Sequence, residues 1–600
     1  MAEKSKIPDR NEIDDKYKWN LKDLYQSAGE WEKSYDNISS LSDEFKKFEG
    51  TLGKSAQNLF DFLRFSDKIS METEKLYVYA NMKLHEDSRL SESQELSNRA
   101  EMLMVKLMND SSFATPEITS IGSAKLEEFE ASLPELMEYR HYLESIMRRK
   151  KHVLSPDEEA ILAKTGTFSN TAEDIFAMIN DADIIFPDIR DNEGNTVTLT
   201  KGRYARFMES ENRDVRRAAF DALYDTYRKQ KNTLATTYYS SVKKDAFYAD
   251  VRKYSSSIEA ALDDDNIPQG VYENLITAVH KYLPLMHRYV KIRKKILGVD
   301  ELHPYDLYAP LAKDSDMKIT YEKAKQTVTE ALSPMGEEYI KALKAGLDGG
   351  WIDVYENSGK RGGAYSWGTY SCHPYVLLNH NDNLNSMFTL AHEMGHALHS
   401  FFTWQRQPYI YSGHKIFVAE VASTCNEALL MEHMLGITTD KNSRKYLINY
   451  FLEQFKGTFF RQAMFAEFEK QTHDMVENGQ PLTCDILCGI YHKLNEQYFG
   501  DELVIDNNLD LEWARIPHFY NAFYVYQYAT GYTAAIALSR KILSEGKPAV
   551  DKYIDFLSKG NSEYSIELLK GAGVDMTSPE PFDKAMSVFS SLLDMMENEF

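Results

Sequence analysis

Cysteine is scarce. Four residues in 600, Cys372, Cys425, Cys484 and Cys488, leave no disulfide framework to staple a small extracellular module. The i, i+4 pair in "CDILC" reads as two buried thiols on one helix face. The stretch MAEKSKIPDRNEIDDKYKWN lacks the apolar segment of a secretory signal. The longest greasy run, Tyr524 to Ser539, is short and interrupted by Gln527, Thr530 and Gly531, so no membrane span is expected. A cytoplasmic location is the expectation. Positive charge is also in deficit: 69 Lys and Arg stand against 92 Asp and Glu, a formal charge of −23. A nucleic-acid duplex or an anionic membrane surface would be repelled by that balance. Fixed-period repeats and low-complexity tracts are missing too. Oligomeric state is not legible.

What is present is an ordinary globular composition, 43% hydrophobic and 27% charged, on a chain long enough for more than one domain. Most of it has helical spacing. "SPDEEAILAKTG" predicts a helix start, with Ser155 as cap, Pro156 at the first position and Glu158 reaching back. Val215, Ala219, Leu223 and Tyr227 form an apolar stripe at four-residue spacing. Two regions break the pattern. Asp181 to Tyr204 combines an apolar run, the turn signal "NEGN" and alternating "TVTLT", which predicts a small hairpin. Ala345 to Asn383 is glycine-rich and aromatic, with strand-like "WIDVYE" and "YSCHPYVLLNH". The first break is taken as a domain junction, giving an N-terminal helical lobe over 1–200 and a catalytic domain over 201–600.

The second break leads into "NSMFTLAHEMGHALHSFF", an apolar helix that Asp382 to Asn385 can cap. Within it, His392 and His396 lie one turn apart and can direct ring nitrogens at one ion. Glu393 is about 100° round the helix, beside that ion without binding it. There a carboxylate is suited to take a proton from a zinc-bound water. A catalytic zinc wants three protein ligands and one open position. The extended pattern HExxHxxGxxH does not supply the third, because His399 and Phe402 occupy its last two defined positions. His399 shares the angular face but lies two turns from His392, about 10 Å of rise, which suits contact with a ligand residue or with substrate. Downstream, "IFVAEVASTCNEALLMEHML" carries Glu420 and Glu427 on one face among apolar neighbours. Glu420 is the candidate third ligand and Glu427 a candidate support for a ligand histidine. A solvated helix face is the other reading of both. "RIPHFYNAFYVYQYATGYTAA" gathers His518, Tyr520, Tyr524, Tyr526, Tyr528 and Tyr532. Tyr524 and Tyr528 are spaced to present hydroxyls to one cleft, where they would stabilise an oxyanion. An aromatic core helix fits the same residues equally well.

With these motifs assembled, the chain resembles the thimet oligopeptidase family of zinc metallopeptidases, and within it the bacterial oligoendopeptidase F branch. The likeness runs through HEMGH, "FVAEVASTCNEAL", "HFYNAFYVYQYATG", "GKRGGAYSWG" with "PYVLLNH", and upstream "YKWNLKDLY", "DADIIFPDI" and "YSSSIEAALDDDNIP". It implies a mainly α, two-lobed metallopeptidase with a deep substrate channel and a small β-sheet beside the HExxH helix. It implies one Zn²⁺ per chain, held by His392, His396 and Glu420, with Glu393 as general base and Glu427 in support. His518 and a tyrosine near Tyr524 or Tyr528 fall where the family stabilises the oxyanion; the register leaves Tyr524, Tyr526 and Tyr528 as competitors. The implied activity is cleavage of internal bonds in short unstructured peptides. A strand such as "SCHPYVLLN" would align an extended peptide by strand addition, with Gly362 and Gly363 permitting close approach. Two alternatives stand beside this. An exopeptidase would need a cation to clamp a substrate terminus, with Lys360, Arg361 and Arg515 as candidates. A helical scaffold would carry a structural metal or none.

Overall fold

The computed structural model describes residues 7–312 and 318–600. Helices dominate because apolar stripes and caps agree along the chain. Helix Pro156–Ser169 opens on the expected capping box: Ser155 Oγ accepts from the Glu158 amide, and the Ser155 amide donates back to Glu158 at 2.9 Å. Helix Arg213–Arg228 buries Val215, Ala219, Leu223 and Tyr227, the stripe marked in the sequence. The hairpin forms as β1 (Asp188–Arg190) against β2 (Thr196–Thr198), antiparallel, with Ile189 opposite Val197. No helix among the described residues is long and apolar enough to cross a membrane.

The chain folds into two compact units, each drawn from three separate stretches. One comprises Met1–Lys151, Met317–His433 and Leu538–Val574. The other comprises His152–Asp316, Met434–Ala537 and Asp575–Phe600.

In the first unit, the N-terminal helices enclose a core that includes Trp31, Leu59, Leu76 and Ala80. Tyr375 and Leu377 of a small sheet extend the same core. That sheet has the order β3 (Ile352–Asp353), β5 (Tyr375–Leu377), β4 (Tyr365–Trp367); β3 runs parallel to β5 and β4 antiparallel. The glycine-rich loop between β3 and β4 is fastened by a buried carboxylate: Asp353 pairs with Lys360 at 2.7 Å and with Arg10 at 2.6 Å. Leaving such a buried charge unpaired costs about 3–5 kcal/mol, so the loop is held from both sides.

From β5 the chain passes directly into the motif helix, Leu384–Arg406. Asn383 is its cap, accepting from the Ser386 amide at 2.8 Å, and Ser386 Oγ accepts in turn from the Asn381 amide at 3.0 Å. Met387, Leu390, Met394 and Leu398 are fully buried. Those four set the rotation of the helix and so decide where the intervening polar residues point.

In the second unit, the tyrosine-rich segment is not one helix. A 3₁₀ turn, Pro517–Tyr520, is followed by an irregular corner and then by helix Tyr526–Glu545. His518 and Tyr524 therefore lie outside the helix that carries Tyr528.

Candidate active site

The first cluster is built on the motif helix and its neighbour, helix Ile416–Ile437. Their approach depends on Gly395 inside the HEMGH motif. A Cβ there would stand 2.5 Å from Ser423 Cα and 2.8 Å from the Ala422 carbonyl oxygen. A buried tie fixes the register of the two helices: Asn426 Nδ2 donates to the Ala391 carbonyl at 3.0 Å, and the Tyr339 hydroxyl donates to Asn426 Oδ1 at 2.7 Å. Neither Gly395 nor Asn426 was singled out in the sequence. The available signal is an asparagine in a largely apolar helix, next to Glu427.

Close approach brings three donor atoms together. His392 Nε2 and His396 Nε2 are 3.2 Å apart, and Glu420 Oε2 is 3.4 Å from each. Ligands bound about 2.0–2.1 Å from a tetrahedral Zn²⁺ would stand about 3.3 Å apart, so this triangle fits that ion. Ser423 Oγ donates to Glu420 Oε2 at 3.1 Å. Glu427 Oε1 lies 3.5 Å from His392 Nδ1, the nitrogen turned away from the triangle. A carboxylate in that place fixes the ring and raises its basicity.

Charge reinforces the arrangement. Burial opposes protonation of His392, but hydrogen bonds to Glu420 and Glu427 outweigh it and raise its pKa to about 10. Burial likewise disfavours ionisation of Glu420, yet His392 and His396 hold it well below the usual carboxylate range. Glu393, only 7% exposed, is not part of the triangle. Burial raises its pKa, the two histidines pull it down, and Glu420 and Glu427 add to the rise, for a net upward shift.

His399 does not meet its expectation of contact with substrate. It is buried, its ring stacked on His414 at 3.7 Å and set against Phe556 at 5.3 Å. The linker between the two helices carries His414 over it, so the angular face it shares with His392 is covered at that height. The strand expectation also needs correcting. β5, from "SCHPYVLLN", lies between β3 and β4, and both of its edges are taken. The edge strand beside the glycines is β4. Gly362 and Gly363 both face open space, and Gly363 has φ +82. Asn379 Nδ2 holds this turn, donating to the Gly363 carbonyl at 2.8 Å and the Arg361 carbonyl at 3.0 Å.

The second cluster lies in the other unit. The His518 ring is 6.0 Å from both Tyr524 and Tyr528, whose own centroids are 5.4 Å apart. The Tyr528 hydroxyl reaches within 3.5 Å of His518 Nε2. Partial desolvation lowers the His518 pKa and so favours the neutral ring. Tyr526 is buried on another side, 5.1 Å from the Tyr272 ring. Of the three competing tyrosines, only Tyr524 and Tyr528 share a face with His518.

A helical scaffold with two histidines one turn apart, a glutamate from the adjoining helix and a buried second glutamate defines the metallopeptidase class. Peptidase family M3 matches residues 206–588, and the Oligopeptidase F N-terminal model matches residues 117–186. Oligopeptidase PepF of Bacillus subtilis (strain 168) is 49% identical, over 100% of this chain and 90% of its own length. Group B oligopeptidase PepB of Streptococcus agalactiae is 40% identical over 98% of both chains. The crystal structure of oligoendopeptidase-F from Enterococcus faecium superposes with a TM-score of 0.74 at 38% identity, covering 95% of this chain and 99% of that one. The chain belongs to peptidase family M3, as a metalloendopeptidase of its oligoendopeptidase F group.

Proposed function

We propose that this chain is a zinc-dependent endopeptidase that hydrolyses internal bonds of short oligopeptides, with Glu393 as its general base. The observation that carries the reading is the donor triangle of His392, His396 and Glu420, with Glu393 buried beside it. Its relatives are oligopeptidases and an oligoendopeptidase F, which supports the substrate class. His392, His396 and Glu420 would hold one Zn²⁺, and the bound ion supplies a Lewis acid that polarises the scissile carbonyl and acidifies water. Glu393 takes a proton from the attacking water on its carboxylate and returns it to the leaving amine; its raised pKa brings it towards the operating pH, where such a base works best. Glu427 holds the His392 ring through Nδ1. The family resemblance gives oxyanion stabilisation to His518 and to one or two of the tyrosines, Tyr524 and Tyr528. β4 and the Gly362–Gly363 turn align the extended substrate.

The exopeptidase alternative needs an uncommitted cation. Lys360 is paired with Asp353 at 2.7 Å, Arg515 with Glu512 at 2.7 Å, and Arg361 Nη1 lies 2.7 Å from His85 Nε2. All three candidates are engaged elsewhere. The deciding experiment is digestion of a mixed set of short peptides, with products identified by mass spectrometry. Internal cuts that vanish on chelation and return with Zn²⁺ are expected; losses confined to a terminus, or cleavage indifferent to chelation, would sink the reading.

Two further outcomes follow from the geometry. With its pKa raised to about 10, His392 in the metal-free protein carries a proton near neutral pH. Zinc needs the neutral ring, so loading should release a proton, and apparent affinity should climb with pH until that pKa is passed. Calorimetric titration in buffers of different ionisation heat measures this; no dependence on the buffer would contradict it. Gly362→Val has open space at its Cβ and should leave the melting temperature unchanged while raising KM several-fold. Unchanged kinetics would remove this turn from substrate binding.

A further inference from the structure

One buried acid of the second unit has no part in the chemistry above. Glu469 sits on helix Arg461–Glu477 with no solvent exposure. Its Oε1 accepts the Phe523 amide at 3.1 Å, and its Oε2 is buried without a hydrogen-bond partner. Burial pushes its pKa well above the usual carboxylate range, the Phe523 hydrogen bond opposes that shift, and nearby Asp245 adds to it. Burial favours the protonated form of the side chain, in which Oε1 is a carbonyl-type acceptor for the Phe523 amide.

The partner of that acceptor is unusual. Phe523 has φ +56, a left-handed conformation that a bulky side chain rarely adopts. The ring is buried between His473 at 4.6 Å and Tyr272 at 5.9 Å, so it cannot swing out to relax the backbone. His473 belongs to the same helix as Glu469 and donates from Nδ1 to the Glu469 carbonyl at 2.8 Å. Backbone strain of this kind persists only where the surroundings over-determine it. Here helix Arg461–Glu477 holds the amide through Glu469 and one side of the ring through His473, while Tyr272 of helix Gln269–Leu297 closes the other side.

What that corner joins gives the strain a purpose. On its N-terminal side is the 3₁₀ turn bearing His518; on its C-terminal side come Tyr524 and the helix bearing Tyr528. The φ of Phe523 thus sets the distance between His518 and the two tyrosines. We propose that Glu469 is a positioning residue, acting through the Phe523 amide to hold His518, Tyr524 and Tyr528 in one donor cluster. The inference rests on the oxyanion role given to that cluster.

The test compares Glu469→Gln with Glu469→Asp in the full-length, zinc-loaded enzyme. Glutamine keeps a neutral acceptor at the same reach, so kcat should stay within about twofold of the parent. Aspartate is one methylene short of the Phe523 amide. It should lower kcat on the order of 10- to 100-fold, the scale of an ångström-level misplacement of catalytic groups, with KM and zinc stoichiometry little changed. Tyr528→Phe should then cost much less in the Glu469→Asp background than in the parent, because the two act on one geometry. Full additivity, an aspartate variant with parental kcat, or a glutamine variant as impaired as the aspartate one would each overturn the proposal. If Tyr528→Phe and His518→Ala both leave the parental kcat unchanged, the oxyanion reading itself falls, and the positioning role falls with it.

Discussion

Glu393→Gln is expected to reduce kcat by roughly 10²- to 10⁴-fold, the range that positioned general acid–base groups contribute, while zinc stays bound. The side chain lies outside the His392, His396 and Glu420 triangle, so its loss removes no ligand. Glutamine preserves size and hydrogen-bonding capacity at a site only 7% exposed, so the helix has no reason to repack. What disappears is the capacity to accept and return a proton. Single-turnover kinetics on a short peptide, read beside metal content per chain, separates the effects. Retained turnover would remove Glu393 from the proton path, and loss of zinc would show that it acts in holding the metal.

Gly395→Ala should be nearly as damaging by a different physical route. The added methyl would meet Ser423 Cα at 2.5 Å and the Ala422 carbonyl at 2.8 Å. Both are backbone atoms of a packed helix, so no rotamer change relieves the overlap, and the two helices must separate. Overpacking of this kind costs about 1–3 kcal/mol, which would appear as a lower melting temperature. The functional loss is larger, because two of the three donor atoms ride on one helix and the third on the other. Separation opens the 3.4 Å spacings between Glu420 and the histidines and strains the Asn426–Ala391 tie. Metal affinity should fall about 10- to 100-fold, as when a supporting partner of a ligand is lost. Competition with a chelator measures it. Gly489→Ala is the control, since its Cβ would meet nothing within 4 Å in helix Cys484–Phe499; it should leave affinity untouched. Equal affinity in Gly395→Ala would show that the helix spacing tolerates the methyl.

The legible parts of this protein are those encoded by local periodicity. The capping box at Ser155, the stripe on Arg213–Arg228, the hairpin at 188–198 and the capped motif helix each depend on residues a few positions apart. Backbone geometry alone brings such neighbours into contact. The pairing of His392 with His396 is of the same kind, one helical turn in one helix. Glu420 is a candidate because a carboxylate in an apolar helix needs a reason to be there, because a catalytic zinc wants a third ligand, and because the family resemblance points to the same position.

The rest depended on contacts between residues far apart in the chain. His399 shares an angular face with the metal-side histidines, but His414 from the following linker covers it. β5 has the pattern of a strand ready to pair, yet β3 and β4 already occupy both of its edges. Tyr526 is as tyrosine-like in sequence as Tyr524 and Tyr528, yet it is buried against Tyr272 while its neighbours join His518. Periodicity thus determined the helices, their caps and one face of the metal site. Which helix lies against which, and how closely, is settled by atoms such as the absent Cβ of Gly395 and the buried carboxyl of Glu469, because packing at interior density responds to single methyl groups and single hydrogen bonds.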